Sequence, residues 1–369
     1  MATTSDILVI GGGMAGTSAA ARLAAEASVV LLEAEQALGT QSSGRSAAMF
    51  IPSYGAPALH PLISAAHVFM QAPDALDEPS MLSPRSVMTI AAEDEMDVLA
   101  EDMATREGLR RITPEEAVER LPILRRAPIA DAAIEEAAAD IDVARLLQGF
   151  ARLLRRLGGQ TITGARVGAI RREGGSWTVE TPAGRFSAPV LVNAAGAWAD
   201  RVAGLAGIAP AGLVPHRRTA AILPAPEGHD VRGWPMVATA AERWYAKPDA
   251  GRLLVSAAEE DPTEPHDAYP LDLVLAEGLH RFEQAMTVPV TRVEHAWAGL
   301  RTFAPDRMPV VGFAPDAEGF FWLAGQGGVG IQLSPALSTV AADLIARRPS
   351  AFPAATLQAM APERFAVAA

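Results

Sequence analysis

Residues 7–16 read ILVIGGGMAG: an apolar run, then Gly11, Gly13 and Gly16, then an Ala-rich stretch. A second apolar run, SVVLLE, ends in Glu33. Strand, G-x-G-x-x-G turn, helix, second strand and terminal carboxylate together make a βαβ dinucleotide fingerprint. Gly11 allows the tight turn, Gly13 lets the backbone approach a pyrophosphate, and Gly16 lets helix and strand pack closely. Met14 and Ala15 open the helix, whose free N–H groups and positive dipole end suit phosphates. Glu33 can accept hydrogen bonds from a ribose diol, and its charge repels a 2′-phosphate. The fingerprint alone does not separate NAD from FAD.

Two further corners favour a flavin. VLVNAAGAWAD (190–200) is an apolar strand running into Ala-Ala-Gly and a helix start, and GQGGVGIQ (325–332) ends a strand and opens the last helix. Either one alone reads as a tight turn. Three strand–Gly–helix corners spread along the chain fit one site assembled from distant segments, whereas a nicotinamide site needs only the first. A helix N-terminus at the last corner suits the anionic N1–C2=O edge of a reduced flavin.

The bulk numbers narrow the classes. With 369 residues the chain can hold two domains and a large core. Half of it is hydrophobic and 20% charged, the composition of a soluble globular protein. A net charge of −12 argues against nucleic acid and anionic membranes as partners. No apolar run approaches the roughly 18 residues of a transmembrane helix. MATTSDILVI carries no basic leader, so the expected location is cytoplasmic. The absence of cysteine excludes disulfides, thiol catalysis and a cysteinyl cofactor link. The histidines at 60, 67, 216, 229, 266, 280 and 295 have no ligand spacing, so no metal is expected.

Between these landmarks the chain is readable in outline. GTQSSGRSAAMF (39–50) is polar and irregular. Thr113 with Glu116 predicts a capping box, and Asp142 predicts the cap of the helix VARLLQGFARLLRRLGG. From QTITGARVGAIRRE through SWTVETPAG to RFSAPVLVNAAG, short strand patterns predict a β-meander. Strand alternation returns in HRRTAAIL, WYAKPDA and GRLLVSAA, and again after a helix at about 271–286 in TRVEHAWAGLRTF.

These segments together resemble the FAD-dependent amine and D-amino acid oxidoreductases of the D-amino acid oxidase type. Within them, SSGRSAA (42–48), LSPR (82–85), HRRTA (216–220), YAKPDAG (245–251), WAGLRTF (297–303) and GFFWLAGQGGVGIQ are most similar to the D-arginine dehydrogenase group. The resemblance runs over nearly the whole chain. It implies a Rossmann-like, discontinuous α/β domain for FAD at 1–50, 140–210 and 305–369. It also implies a substrate domain at 51–139 and 211–304, whose mostly antiparallel sheet roofs the flavin. FAD is expected to be non-covalent. Its implied contacts are Gly11, Gly13, Met14, Ala15, Gly16 and Glu33, then Ser43, Gly44, Arg45, Ser46 and Ala48, then Val167, Ala195, Gly196 and Trp198. Gly327, Gly328, Gly330, Ile331 and Gln332 complete the set.

Oxidising an α-amino acid requires a held carboxylate, a Cα–H placed over flavin N5, and loss of a proton from the amine. The planar fork of arginine suits the first task. Arg218 and Arg301 lie on strand patterns with apolar flanks, and the resemblance makes them the carboxylate clamp; Arg217 alternates to the other face. The resemblance places Tyr245 beside the carboxylate and Tyr54 near a mobile entrance loop, while Tyr269 reads as surface. No catalytic base is evident, which is tolerable if the amine binds neutral or loses its proton to water.

Arginine-accepting relatives carry a His and an acid where this chain has Met49 and Val87, and a larger polar aromatic where it has Val329. Met49, Phe50, Val87, Trp244 and Val329 are therefore expected to form an apolar side-chain pocket. The resulting expectation is oxidative deamination of free D-amino acids with apolar side chains, giving an imino acid and then an α-keto acid. The alternative within the family is a secondary-amine oxidase acting on sarcosine, glycine or proline-like substrates. The alternative of another class is a non-catalytic or electron-transfer flavoprotein subunit. Oxygen and a quinone both remain open as electron acceptors, and the oligomeric state is open as well.

Overall fold

In the computed structural model, which describes residues 2–365, Ile7–Ile10 lies inside a parallel sheet. Val29–Leu32 pairs with it on one side and Val190–Asn193 on the other. Gln160–Ile162 and Phe320–Ala324 extend the sheet outward, and Val310–Phe313 closes it as an antiparallel edge. Every residue of Ile7–Ile10 and Val29–Leu32 is buried, because both faces of this sheet are covered. That burial explains the unbroken apolar runs. The helices Met14–Leu23, Val143–Arg156 and Gly330–Ile345 contribute to the core on one face, which includes Val9, Leu31 and Leu333. On the other face, Leu8, Ile10 and Leu32 meet Trp177, Val179 and Phe186.

The predicted meander is only partly realised. Ala169–Glu173, Ser176–Thr181 and Gly184–Ala188 form an antiparallel run. Gln160–Ile162 and Val190–Asn193 belong instead to the parallel sheet. The Thr113 hydroxyl accepts from the Glu116 N–H at 3.1 Å, but the Glu116 carboxylate turns to Arg110 and Arg120. The capping box is thus half formed. Asp142 caps its helix as predicted, accepting from the Arg145 N–H at 3.0 Å.

A larger, nine-stranded sheet contains the long antiparallel pair Val214–Leu223 and His295–Phe303, with Arg218 opposite Gly299 and His216 opposite Arg301. Val87–Ala91 runs parallel to Met236–Thr239 in the same sheet. Alternation divides its residues between two faces. Ala220, Ile222, Tyr245, Leu254 and Val87 form one cluster. Leu223, Trp244, Val255 and Leu253 pack on the other with Phe282 of the helix Asp272–Ala285. Among the described residues no helix is long and apolar enough to cross a membrane.

Candidate cofactor and substrate site

A cleft of about 500 Å³ is lined by both sheets and by the three glycine corners. The first corner is set by backbone crowding. Gly11 has φ +106°, and a Cβ there would lie 2.3 Å from the Ala194 carbonyl oxygen, so the first and second corners touch. A Cβ on Gly16 would lie 1.9 Å from the Gly11 carbonyl oxygen, which is the close helix–strand approach that the third glycine serves. Glu33 also lines the cleft, its carboxylate accepting from the Gly12 N–H at 2.5 Å and the Glu35 N–H at 2.8 Å. Burial pushes its pKa above the ordinary carboxylate value, partly offset by those amides.

FAD fits this cleft on three observations. Gly196, with φ +55°, lines it, and a Cβ there would meet no atom within 4 Å. Gln326 lines it with a buried Nε2 that has no hydrogen-bond partner among the described residues. Helix N-termini reach the lining at Gly13–Ala15 and Gly330–Ile331, where orphan amides favour anionic groups. Of the expected contacts, Gly11, Gly13, Met14, Ala15, Glu33, Ser43, Arg45, Ser46 and Val167 line the cleft. Ala195, Gly196, Trp198, Gly327, Gly328, Gly330 and Ile331 do so as well.

Four expected contacts stand back from the lining. Gly16 is engaged in helix–strand packing, and a Cβ on Gly44 would lie 2.5 Å from the Gly39 carbonyl oxygen. Ala48 supplies a left-handed turn with φ +58°. Gln332 is buried, accepting from the Ile51 N–H at 3.1 Å and donating to the Tyr54 carbonyl at 3.3 Å. It braces the Tyr54 segment rather than a cofactor. Arg45 does line the cleft, yet its guanidinium donates to the carbonyls of Thr40, Ala268 and Ala298 and to Asp267.

At the far end Arg218, Tyr245 and Arg301 line the same cleft. Arg218 is only 8% exposed, and its one ion-pair partner among the described residues is Glu260 at 3.8 Å. Burial, then the neighbouring Arg301, pull its pKa below the ordinary guanidinium value. Among the described residues Arg301 has no ion pair and no side-chain hydrogen bond. The Tyr54 hydroxyl lies within electrostatic range of both arginines, and burial raises its pKa, so the phenol stays protonated. Two adjacent cleft cations, with only the Arg218–Glu260 ion pair among the described residues, leave room for an anion.

The expected pocket is corrected by alternation. Val87 and Met49 belong to the cluster that includes Tyr245, but neither lines the cleft itself. Phe50 turns the opposite way and stacks on His67 with ring centroids 5.0 Å apart. Trp244 packs edge-on against Phe282 at 5.5 Å, on the face away from the cleft. Val329 is buried in the helix-side core, about as far as a methyl contact from Gly55. The apolar wall beside Tyr245 is made by Val87, Met49, Met236, Ile51 and Ala238.

Several residues escaped the sequence reading. Gly12 carries the amide that holds Glu33, and Gly39, with φ +72°, lines the cleft. Lys247 is buried and donates to the Ala47 carbonyl at 2.9 Å and to Asp140, which also takes Arg85. Tyr245 and Lys247, two apart on one strand, share a face, and that spacing was the available signal.

Comparison with known proteins gives a consistent family. The profile of DAO, described as FAD dependent oxidoreductase, matches residues 6–344. Glycine oxidase of Geobacillus kaustophilus (strain HTA426) is 25% identical over 369 residues, 94% of each chain. Mitochondrial sarcosine dehydrogenase of Homo sapiens is 30% identical over 186 residues, covering 47% of this chain and 20% of that protein. The crystal structure of the Geobacillus kaustophilus glycine oxidase superposes with TM-score 0.83, covering 95% of this chain and 97% of that one at 25% identity. L-Proline dehydrogenase from P. horikoshii shares the fold with TM-score 0.86 at 22% identity, covering 99% and 98%.

Proposed function

The chain belongs to the FAD-dependent oxidoreductase family, and on that premise we propose that it oxidises the Cα–N bond of small amino acids of the glycine, sarcosine or proline-like class. One observation carries the reading: Arg301, a guanidinium with no ion-pair or hydrogen-bond partner among the described residues, faces the cleft beside Arg218. A flavoprotein subunit without a substrate has no need of two such cations. The names of the similar proteins, glycine oxidase and sarcosine dehydrogenase, support the secondary-amine alternative over the expected preference for free D-amino acids.

FAD held in the cleft supplies a two-electron ring that accepts hydride. The side chains do the positioning. Arg301 can take the substrate carboxylate bidentately, with Arg218 and Tyr245 beside it. Once the carboxylate has neutralised one of the two cations, the residual positive charge disfavours an ammonium group. The amine is thereby bound in its neutral form without a dedicated base. Tyr54, kept protonated by burial, can donate a hydrogen bond at the same end.

A second reading keeps free apolar D-amino acids as substrates. It is supported by the wall of Val87, Met49 and Met236 beside Tyr245, which accepts methyl and isopropyl groups but offers a buried cation no partner.

Anaerobic flavin bleaching tests both. Glycine, sarcosine, D- and L-proline, D- and L-alanine, D-valine, D-leucine and D-arginine are compared with ethylamine, which lacks a carboxylate. Fast bleaching by glycine or sarcosine is expected, with none by ethylamine. Bleaching by D-leucine but not sarcosine would transfer the case to the second reading. Bleaching by ethylamine would remove the clamp altogether.

A further inference from the structure

Residues 264–269 run between two arginines that both line the FAD cleft. Glu264 pairs with Arg201 at 3.1 Å, and Asp267 pairs with Arg45 at 2.5 Å. Arg45 also donates to the Ala268 carbonyl at 2.8 Å and the Ala298 carbonyl at 3.0 Å. Ala268 is buried in a small apolar cluster with Ala197, Ala298 and Leu300, against Trp198. Ala197 and Trp198 belong to the second glycine corner and line the cleft. The segment leaves the large sheet at Asp261–Pro262 and reaches the helix Ala199–Leu205 through Arg201. Pro265 and Pro270 restrict its backbone at both ends.

We propose that residues 264–269 form a strap that retains FAD, with Arg45 and Arg201 as its two latches. Arg45 is then a positioning residue: it acts on the cofactor through the strap and not as a phosphate ligand, because its donors are already engaged by protein oxygens. Both latch carboxylates are largely exposed, Asp267 at 76% and Glu264 at 88%. Exposed ion pairs are weak and screened by salt, so the strap can open without the domain unfolding. FAD leaves when both latches are released. The inference rests on FAD occupying this cleft.

The test is the rate of FAD release from purified holoprotein, read as the rise of flavin fluorescence after dilution. Asp267→Ala and Glu264→Ala are exposed changes that leave the melting temperature of the apoprotein unaltered. Each is expected to speed release severalfold, and the double variant by about tenfold or more. Raising salt from about 0.02 M to about 0.5 M should speed release from the wild type and leave the double variant unchanged. Asp267→Glu should restore retention. Slower release from Asp267→Ala would show Arg45 freed to hold a phosphate, and would overturn the strap. Release from the double variant at the wild-type rate would overturn it too. A purified wild type without any FAD would instead refute the cofactor placement.

Discussion

Arg218 and Arg301 face one cleft from neighbouring antiparallel strands, and among the described residues only Arg218 has a carboxylate within ion-pair distance, Glu260 at 3.8 Å. The asymmetry divides the labour of anion binding. Arg218 already has part of its charge answered. Arg301 has no ion pair of its own among the described residues, Glu242 and Glu260 acting on it only from beyond ion-pair distance, and is the stronger attractor for a ligand carboxylate.

Arg301→Lys keeps the charge and loses the planar fork. Substrate or carboxylate-inhibitor binding should weaken by about 1.5–3 kcal/mol, with a smaller loss for Arg218→Lys. Anaerobic titration of the flavin spectrum measures both. Equal effects at the two positions would contradict the division.

Gly16→Ala places a methyl group 1.9 Å from the Gly11 carbonyl oxygen. Backbone at both sides of the contact cannot yield, so the helix Met14–Leu23 must move off its strand. The expected product is protein with little FAD and a lowered melting temperature. Gly204→Ala, on a helix with nothing within 4 Å of the added methyl, serves as the control.

Glu259 has both carboxylate oxygens buried and without a hydrogen-bond partner among the described residues. Burial raises its pKa above 4.5, offset in part by Thr219, its own backbone and Arg218. The folded chain therefore holds this proton more tightly than the unfolded chain. The stability contributed is complete below 4.5 and is lost as pH rises through the folded-state pKa. Glu259→Gln should raise the melting temperature at neutral pH, with the gain vanishing below the unfolded value. A gain independent of pH would rule this cause out.

Val87 is 5% exposed and packs in the cluster that holds Tyr245 and Met49. Val87→Ala removes two methyl groups, costing roughly 1.5 kcal/mol of folding stability or more. It should raise kcat/KM for larger apolar amino acids relative to glycine. Unchanged ratios across a substrate panel would place the side-chain pocket elsewhere.

Gln332→Leu leaves the Ile51 N–H and the Tyr54 carbonyl without their bonds, at about 1–3 kcal/mol for each buried group. Because the amide braces Tyr54 and does not face the cleft, FAD affinity should hold while KM rises. A loss of FAD with unchanged KM would return Gln332 to the cofactor.

The first corner was legible because part of its problem is local: Gly11 adopts φ +106°, and Gly16 is pressed against the Gly11 carbonyl five residues before it, whereas the contact of Gly11 with Ala194 is not visible in sequence. The faces of short strands were harder, but not wholly hidden. Met49 and Phe50 are consecutive in one strand, so they cannot both face the substrate; Trp244, immediately before the strand that starts at Tyr245, conflicts with it in the same way. Alternation alone rejects one member of each pair; pairing with Ala139–Ile141 in a small three-stranded sheet decides it for Met49 and Phe50, and the register of the large sheet decides it for Tyr245. Arg45 and Gln332 could not be placed from sequence. Their partners lie 222 to 281 residues away, at Asp267 and Ile51, and only the docking of the two sheets brings them together.

The parallel sheet imposes an order on synthesis. Ile7–Ile10 and Val29–Leu32 leave the ribosome first, yet Val190–Asn193 arrives about half a chain later and Phe320–Ala324 near the end. Until then the edge of Ile7–Ile10 is unpaired apolar backbone, a surface open to association with other nascent chains. Such long-range parallel pairing is also slow. The last corner at Gly327–Ile331 is translated last, so the early fingerprint waits, half built, for it. A chain stalled before residue 310 would carry a dinucleotide motif that has nothing to close over it.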